Sequence, residues 1–99
     1  MPMVIVAAQI DLHLPGVRSL KEKRSILKSL IARLHKTFNI AVAEVDLHDV
    51  WQSAAVGVAI VSTSAGHGES VLETVLHWIE RNRPDVEIMD HTLEILHVS

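Results

Sequence analysis

Ser19 to Asn39, SLKEKRSILKSLIARLHKTFN, constrains the fold more than any other stretch of the chain. Leu20, Leu27, Leu30, Ile31, Leu34 and Phe38 recur at three- and four-residue steps, which lines them along one helical face that must be buried. Such a helix needs an apolar surface to lie on. Its start is marked by Ser19, whose hydroxyl can accept from a free backbone N–H, and by Glu22 three residues on, the pair forming a capping box. Its end is marked by His35 and Lys36, which suit the negative pole of the helix dipole, and by Asn39, expected to close the helix in the left-handed conformation.

The surface for that helix comes from strand-like segments. Residues 3–14 alternate Val4, Val6, Ala8, Ile10 and Leu12 with Met3, Ile5, Ala7, Gln9, Asp11 and His13, so both faces of a strand begin apolar. Pro15-Gly16 supplies turn chemistry before the helix. Residues 40–45 predict a second strand, and residues 54–61 an Ala/Val strand with almost nothing polar, which belongs in the middle of a sheet. Ser64 can cap a second helix carrying Val71, Leu72, Val75, Leu76, Trp78 and Ile79, stopped at Asn82 and Pro84 and weakened in its first turn by Gly66 and Gly68. Residues 86–98 alternate apolar residues with Glu87, Asp90, Thr92 and Glu94, as an edge strand does, with a slip near Ile95-Leu96 that suggests a bulge.

The order is βαββαβ, and right-handed crossovers place both helices on one face of a four-stranded antiparallel sheet. This is a ferredoxin-like α+β sandwich, expected as one domain over residues 1–99. The first and third strands are the most apolar, so the spatial order is 4-1-3-2. The core should contain Val4, Val6, Ile10, Leu27, Leu30, Leu34, Val56, Val58, Ile60, Leu72, Val75 and Ile79. The other sheet face should carry Ile5, Ala7, Ala55, Gly57, Ala59 and Val61, small apolar side chains that soluble monomers rarely leave uncovered. Self-association, most simply a two-fold dimer, is the expected consequence.

Charge is segregated. Between Arg18 and Lys36 seven Lys or Arg stand against one acid, a local charge of +6, while the remainder sets two Arg against eleven acids for −9, making the overall −3. Arg18, Lys21, Lys23, Arg24 and Lys28 are the candidate anion-binding residues. The cations in the first turns oppose the helix dipole, a cost of a few tenths of a kcal/mol each that an anionic partner would relieve. A solvated helix face accounts for the same residues and stands as the other reading.

With no cysteine the chain has no disulfide, thiolate nucleophile or zinc knuckle. No signal peptide or membrane-length apolar run is read in it, so a soluble protein without membrane contact is expected. GHGES does not complete a dinucleotide-binding pattern, because Val71 stands where a third glycine would be. Ser62, Ser64 and His67 lack a nucleophile elbow, and helix capping explains the serines. Asp11, His13, Glu44, Asp46, His48 and Asp49 are a polar cluster that could ligate a divalent metal or do acid–base work, but no spacing fixes two ligands on one face. The expectation is therefore a structural cluster, no catalytic residue, no metal and no cofactor. Trp51 is read as a loop anchor over the sheet end rather than a stacking platform, since a buried ring stabilises such a loop. One Phe, no Tyr and no aromatic residue on the central strands exclude base stacking on the sheet.

LHLPGVRSLKEKRSILKSLIARL followed by FNIAVAEVDLHDVWQSAAVGVAIVS resembles the YlxP-like family of small bacterial proteins of unknown function. The similarity covers nearly the whole chain and rests on two motifs, SLKEKR and AEVD…DxWQ. The start of the second helix departs from the family's usual pattern, with GHG in place of better helix formers. The resemblance brings no activity. The family's genes commonly lie among those for transcription elongation, translation initiation and small-subunit maturation factors, which implies a cytoplasmic, ribosome-associated role. The expectation is a non-enzymatic module whose basic helix face binds ribosomal RNA or a ribosome-assembly intermediate. The alternatives are a module for an acidic protein partner and a metal-dependent enzyme using Asp11, His13 and Asp46.

Overall fold

In the computed structural model, which describes residues 2–99, the Val/Ile-rich start of the chain forms β1 (Val4–His13). The capped amphipathic segment forms α1 (Leu20–Thr37), and β2 (Ala41–Asp46), β3 (Ser53–Ser62), α2 (Ala65–Asn82) and β4 (Glu87–His97) follow. All strand pairs are antiparallel, in the order β2-β3-β1-β4. This is the expected ferredoxin-like sandwich, with the two most apolar strands in the centre because they are buried on both sides by neighbours.

The alternation along β1 decides what the helices cover. Val4, Val6, Ala8, Ile10 and Leu12 are buried, and the last four pack with Leu27, Leu30 and Leu34 of α1 and Leu72, Val75 and Ile79 of α2. All twelve expected core residues are buried, and Leu14, Val17 and Val86 from the connections join them. Both helices are serine-capped: Ser19 Oγ accepts from Glu22 N–H at 3.1 Å and Ser64 Oγ from His67 N–H at 3.2 Å. Glu22 answers by accepting from Arg18 N–H at 3.2 Å. At the far end of α2, the buried Arg83 guanidinium is bidentate on Asp85 (2.9 and 2.7 Å) and also donates to Ser29 Oγ at 3.1 Å, which ties the end of α2 to α1.

Two local expectations are corrected. Asn39 does not adopt the left-handed conformation; α1 closes at Phe38, whose N–H reaches Leu34 O at 2.8 Å. The bulge in β4 lies opposite Asp11/Leu12, where the register skips Met89, and not at Ile95-Leu96. Leu96 is opposite Ile5, so it is apolar because the open sheet face is apolar there, with no slip in the alternation. Gly68, expected to weaken α2, is instead required. A Cβ there would stand 2.5 Å from Val6 Cγ2, so the glycine lets α2 approach the sheet.

Candidate anion-binding site at the sheet end

His13 is opposite Ser53, so the turn after β1 and the loop before β3 leave the sheet side by side. Gln52 sews them together. Its backbone O accepts from Leu14 N–H at 2.9 Å and lies 3.0 Å from His13 Nδ1, which must carry the proton because a carbonyl can only accept. Its side chain donates from Nε2 to Val17 O at 3.0 Å. The β2–β3 loop is thereby fixed one residue from the start of the basic segment at Arg18.

The second tether is Lys23. The sequence places it with the exposed cations, but it is 0% exposed and lies in the buried stripe with Leu27, Leu30 and Leu34. Its ammonium donates to Leu47 O and lies 3.0 Å from Glu44 Oε2 on the helix side of β2. That second contact is close enough for charge pairing but poorly aligned, and Glu44 Oε2 has no hydrogen-bond donor among the described residues. Leu47 sits in the left-handed region at φ 60°, where its N–H reaches Asp46 Oδ1 at 2.8 Å and its O also accepts from Val50 N–H at 3.0 Å. A leucine held there costs on the order of 1 kcal/mol or more, and the Lys23 bond helps to hold it. Lys23 is therefore withdrawn from the anion-binding set. The sequence does carry a signal for this: Leu20 and Leu27 leave a gap in the three- and four-residue rhythm that position 23 fills.

Arg18, Lys21, Arg24 and Lys28 remain exposed. Lys21, Arg24 and Lys28 fall within about 60° of one another around the helix at 3.6 residues per turn. Among the described residues the ion pairs are Lys23–Glu44 and Arg83–Asp85, so none of these four cations has an acidic partner there. Arg33, further along α1, stands 5.0 Å over the Trp78 ring, which packs edge-on against Phe38.

The acid and histidine candidates do not converge. Glu44 faces the helices, opposite Val56, whereas Asp11 and Asp46 lie on the other side of the sheet in one row through Ala55. Two strand spacings separate them, about 9.5 Å, too far to share a cation. Asp11 Oδ1 accepts from Gln9 Nε2, Asp46 caps Leu47, and His13 is committed to Gln52. His48 and Asp49 stand exposed in the loop. Among the described residues no three His, Asp or Glu are grouped to hold a metal ion.

Trp51 is the larger departure. The expectation is a ring buried as the loop anchor, yet Trp51 is 51% exposed, with Leu47 and Val50 also exposed beside it in the chain. Anchoring is done by Gln52 and Lys23. A polar side chain can fasten a loop through backbone carbonyls without the core volume that a buried indole needs, and the core here is already filled by Leu14 and Val17.

Residues 5–93 match the model of the family described as "Protein of unknown function (DUF503)". The "Uncharacterized protein YlxP" of Bacillus subtilis (strain 168) is 39% identical over 69 residues, which cover 70% of this chain and 74% of that protein. Among solved structures, the "De novo designed protein Foldit4" aligns over 95% of this chain and 96% of its own with a TM-score of 0.50 at 17% identity, a likeness of fold alone. The chain belongs to the DUF503 family, and the two motifs that carry the resemblance are those that meet here, SLKEKR through Lys23 and AEVD…DVWQ through Glu44, Leu47 and Gln52.

Proposed function

We propose that this DUF503 member is a non-enzymatic, cytoplasmic RNA- or ribosome-associated module that binds an anionic partner through Arg18, Lys21, Arg24 and Lys28. The observation that carries this reading is the set of exposed cations on the first turns of α1 without a carboxylate partner among the described residues, in a chain with eleven acids elsewhere. Surface cations gain little from isolated pairs, but a cluster at the positive pole of a helix dipole attracts phosphate twice over. Three to four phosphate contacts on single-stranded RNA give a log–log salt slope of about −2 to −3. Co-sedimentation with ribosomal subunits and with purified ribosomal RNA tests it. Wild type should sediment at low salt and the triple variant Lys21→Glu, Arg24→Glu, Lys28→Glu should not, with its fold intact. Equal behaviour of both leaves a solvated surface, and capture of an acidic protein in place of RNA makes this a protein-interaction module. The metal-dependent alternative has no converging donor set among the described residues to support it.

A second reading concerns the open sheet face, which we infer joins a second copy of the chain. Val61, 68% exposed, lies in a row with Ile5 and Leu96, and a shallow depression of about 400 Å³ follows over Ala7, Ala41, Ala43, Gly57 and Ala59. Of the acids on this face, Asp11, Asp46, Glu87 and Asp90 gather at its other end, while Glu94 stands opposite Ala7 on the edge strand β4. A two-fold arrangement can therefore overlap the apolar ends and keep the acidic ends apart. Light scattering at micromolar concentration should give twice the 11.0 kDa chain mass, reverting to the single mass in Val61→Glu. A single mass for wild type would overturn this reading.

A further inference from the structure

Trp51 is exposed on a loop that the fold holds still. The loop is tied at one end by Lys23 to Leu47 O and at the other by Gln52 to Val17 O, and it is braced across its middle by Val50 N–H to Leu47 O at 3.0 Å. An indole left half in water on a mobile loop would need no explanation. One presented on a loop pinned at both ends is preorganised for contact, because ordering it on binding costs little. Trp78, the chain's other tryptophan, shows the contrast: it packs edge-on against Phe38 under the Arg33 guanidinium.

The tethers also say what stands beside the indole. Gln52 follows Trp51 and holds Val17, and Arg18 follows Val17, so the exposed ring and the first unpaired cation each lie one residue from the same 3.0 Å hydrogen bond. Lys21 is exposed on the first turn of α1, three residues after Arg18. Two acids beside the tethers are hydrogen-bonded to backbone: Glu22 accepts from Arg18 N–H and Asp46 from Leu47 N–H. Asp49 stands exposed on the loop, and its charge would turn a phosphate chain toward α1.

We infer that Trp51 is a stacking platform for one unpaired nucleobase, with the flanking phosphates held by Arg18 and Lys21, so that the site takes single-stranded rather than duplex RNA. This rests on the RNA reading of the basic face and adds to it the ligand's form. Aromatic stacking is indifferent to base identity, because every base has a π face, and it is denied to paired bases. An apolar ridge of Leu47, Val50 and Trp51 also fits a protein partner. The base is favoured because a single ligand then accounts for both the indole and the cations without acidic partners.

The test measures binding of a dye-labelled 12-nucleotide unpaired RNA and of a matched hairpin duplex, over a salt series, to wild type, Trp51→Leu, Trp51→Phe and the triple glutamate variant. Trp51→Leu should weaken the unpaired RNA about ten-fold, the size of one base–aromatic stack, without changing the salt slope. It should leave duplex binding unchanged and abolish the RNA-dependent quenching of tryptophan fluorescence. Trp51→Phe should recover most of the loss, which a ring of purely structural use would not require once equal thermal melting shows each variant folded. Wild type that binds neither RNA overturns the basic-face reading and this inference with it. Wild type that binds, with Trp51→Leu equal to it and quenching unchanged, overturns the stacking inference alone. Unchanged RNA binding together with lost ribosomal co-sedimentation also overturns it, assigning the ridge to a protein.

Discussion

The starts of the two helices are capped in the same way and do different work. Each has a serine whose Oγ accepts from the N–H three residues on, and each places one unusual residue against the sheet within its first turn or so: Lys23 in α1 and Gly68 in α2. Gly68 is there to be small, since Val6 fills the space that a Cβ would take. Lys23 is there to reach, since its ammonium carries a hydrogen bond and a charge pair across to the β2–β3 loop. Close packing at α2 brings its first turn against β1. The long reach at α1 fastens a loop that carries an exposed indole, beside a helix start with four exposed cations.

The sharpest way to break this comparison is to remove the reach. Lys23→Met strands the Glu44 carboxylate in a partly buried site and leaves Leu47 O with Val50 N–H alone, and loss of one member of a buried pair costs up to about 3–5 kcal/mol, a large share of a small domain's stability. Urea denaturation should show it, and Glu44→Leu in the same chain should restore much of the loss, since the orphaned carboxylate goes too. Failure of the double variant to recover would make the Leu47 carbonyl, rather than the charge pair, the main role of Lys23.

Next in size is Gly68→Ala. The added methyl meets a fully buried, β-branched Val6 that has no other rotamer to take cheaply, so overpacking of about 1–3 kcal/mol should exceed any gain in helix propensity. Two residues earlier, a methyl added at Gly66 would meet nothing within 4 Å, and Gly66→Ala should therefore stabilise the protein, by about 0.5–1 kcal/mol. Thermal melting of the two variants, moving in opposite directions, would confirm that position 68 alone is set by approach to the sheet.

The smallest expected effect lies at the other end of the helix pair. The hydrogen bond from Arg83 holds the Asp85 carboxyl below the usual carboxylate range, with the guanidinium charge adding to it, and Arg83 is raised in turn. A lowered folded value means stability that is present above the unfolded carboxylate range, near pH 4, and lost as pH falls through the depressed folded value. Acid titration of stability should show a modest loss there, since Asp85 is partly exposed and solvent screens the pair, and Asp85→Asn should remove that component.

Much of this is written locally. The apolar rhythm of α1, the alternation of β1 and the all-apolar β3 lead directly to the strand order and the core, because burial on one face or on both leaves its period in the residues themselves. The segregation of charge is equally plain, and with it the basic face of α1. What tertiary structure alone decided is which members of those groups are free to act. Whether a lysine one turn into α1 meets water or a carboxylate depends on how far β2 lies beneath it, and whether Trp51 anchors its loop depends on whether Gln52 has already done so. A glycine in a helix counts as a weakness until the distance to Val6 is known. Each of these turns on contacts between segments about 20 to 60 residues apart, where the spacing of side chains along one helix or strand no longer reports what stands across from it.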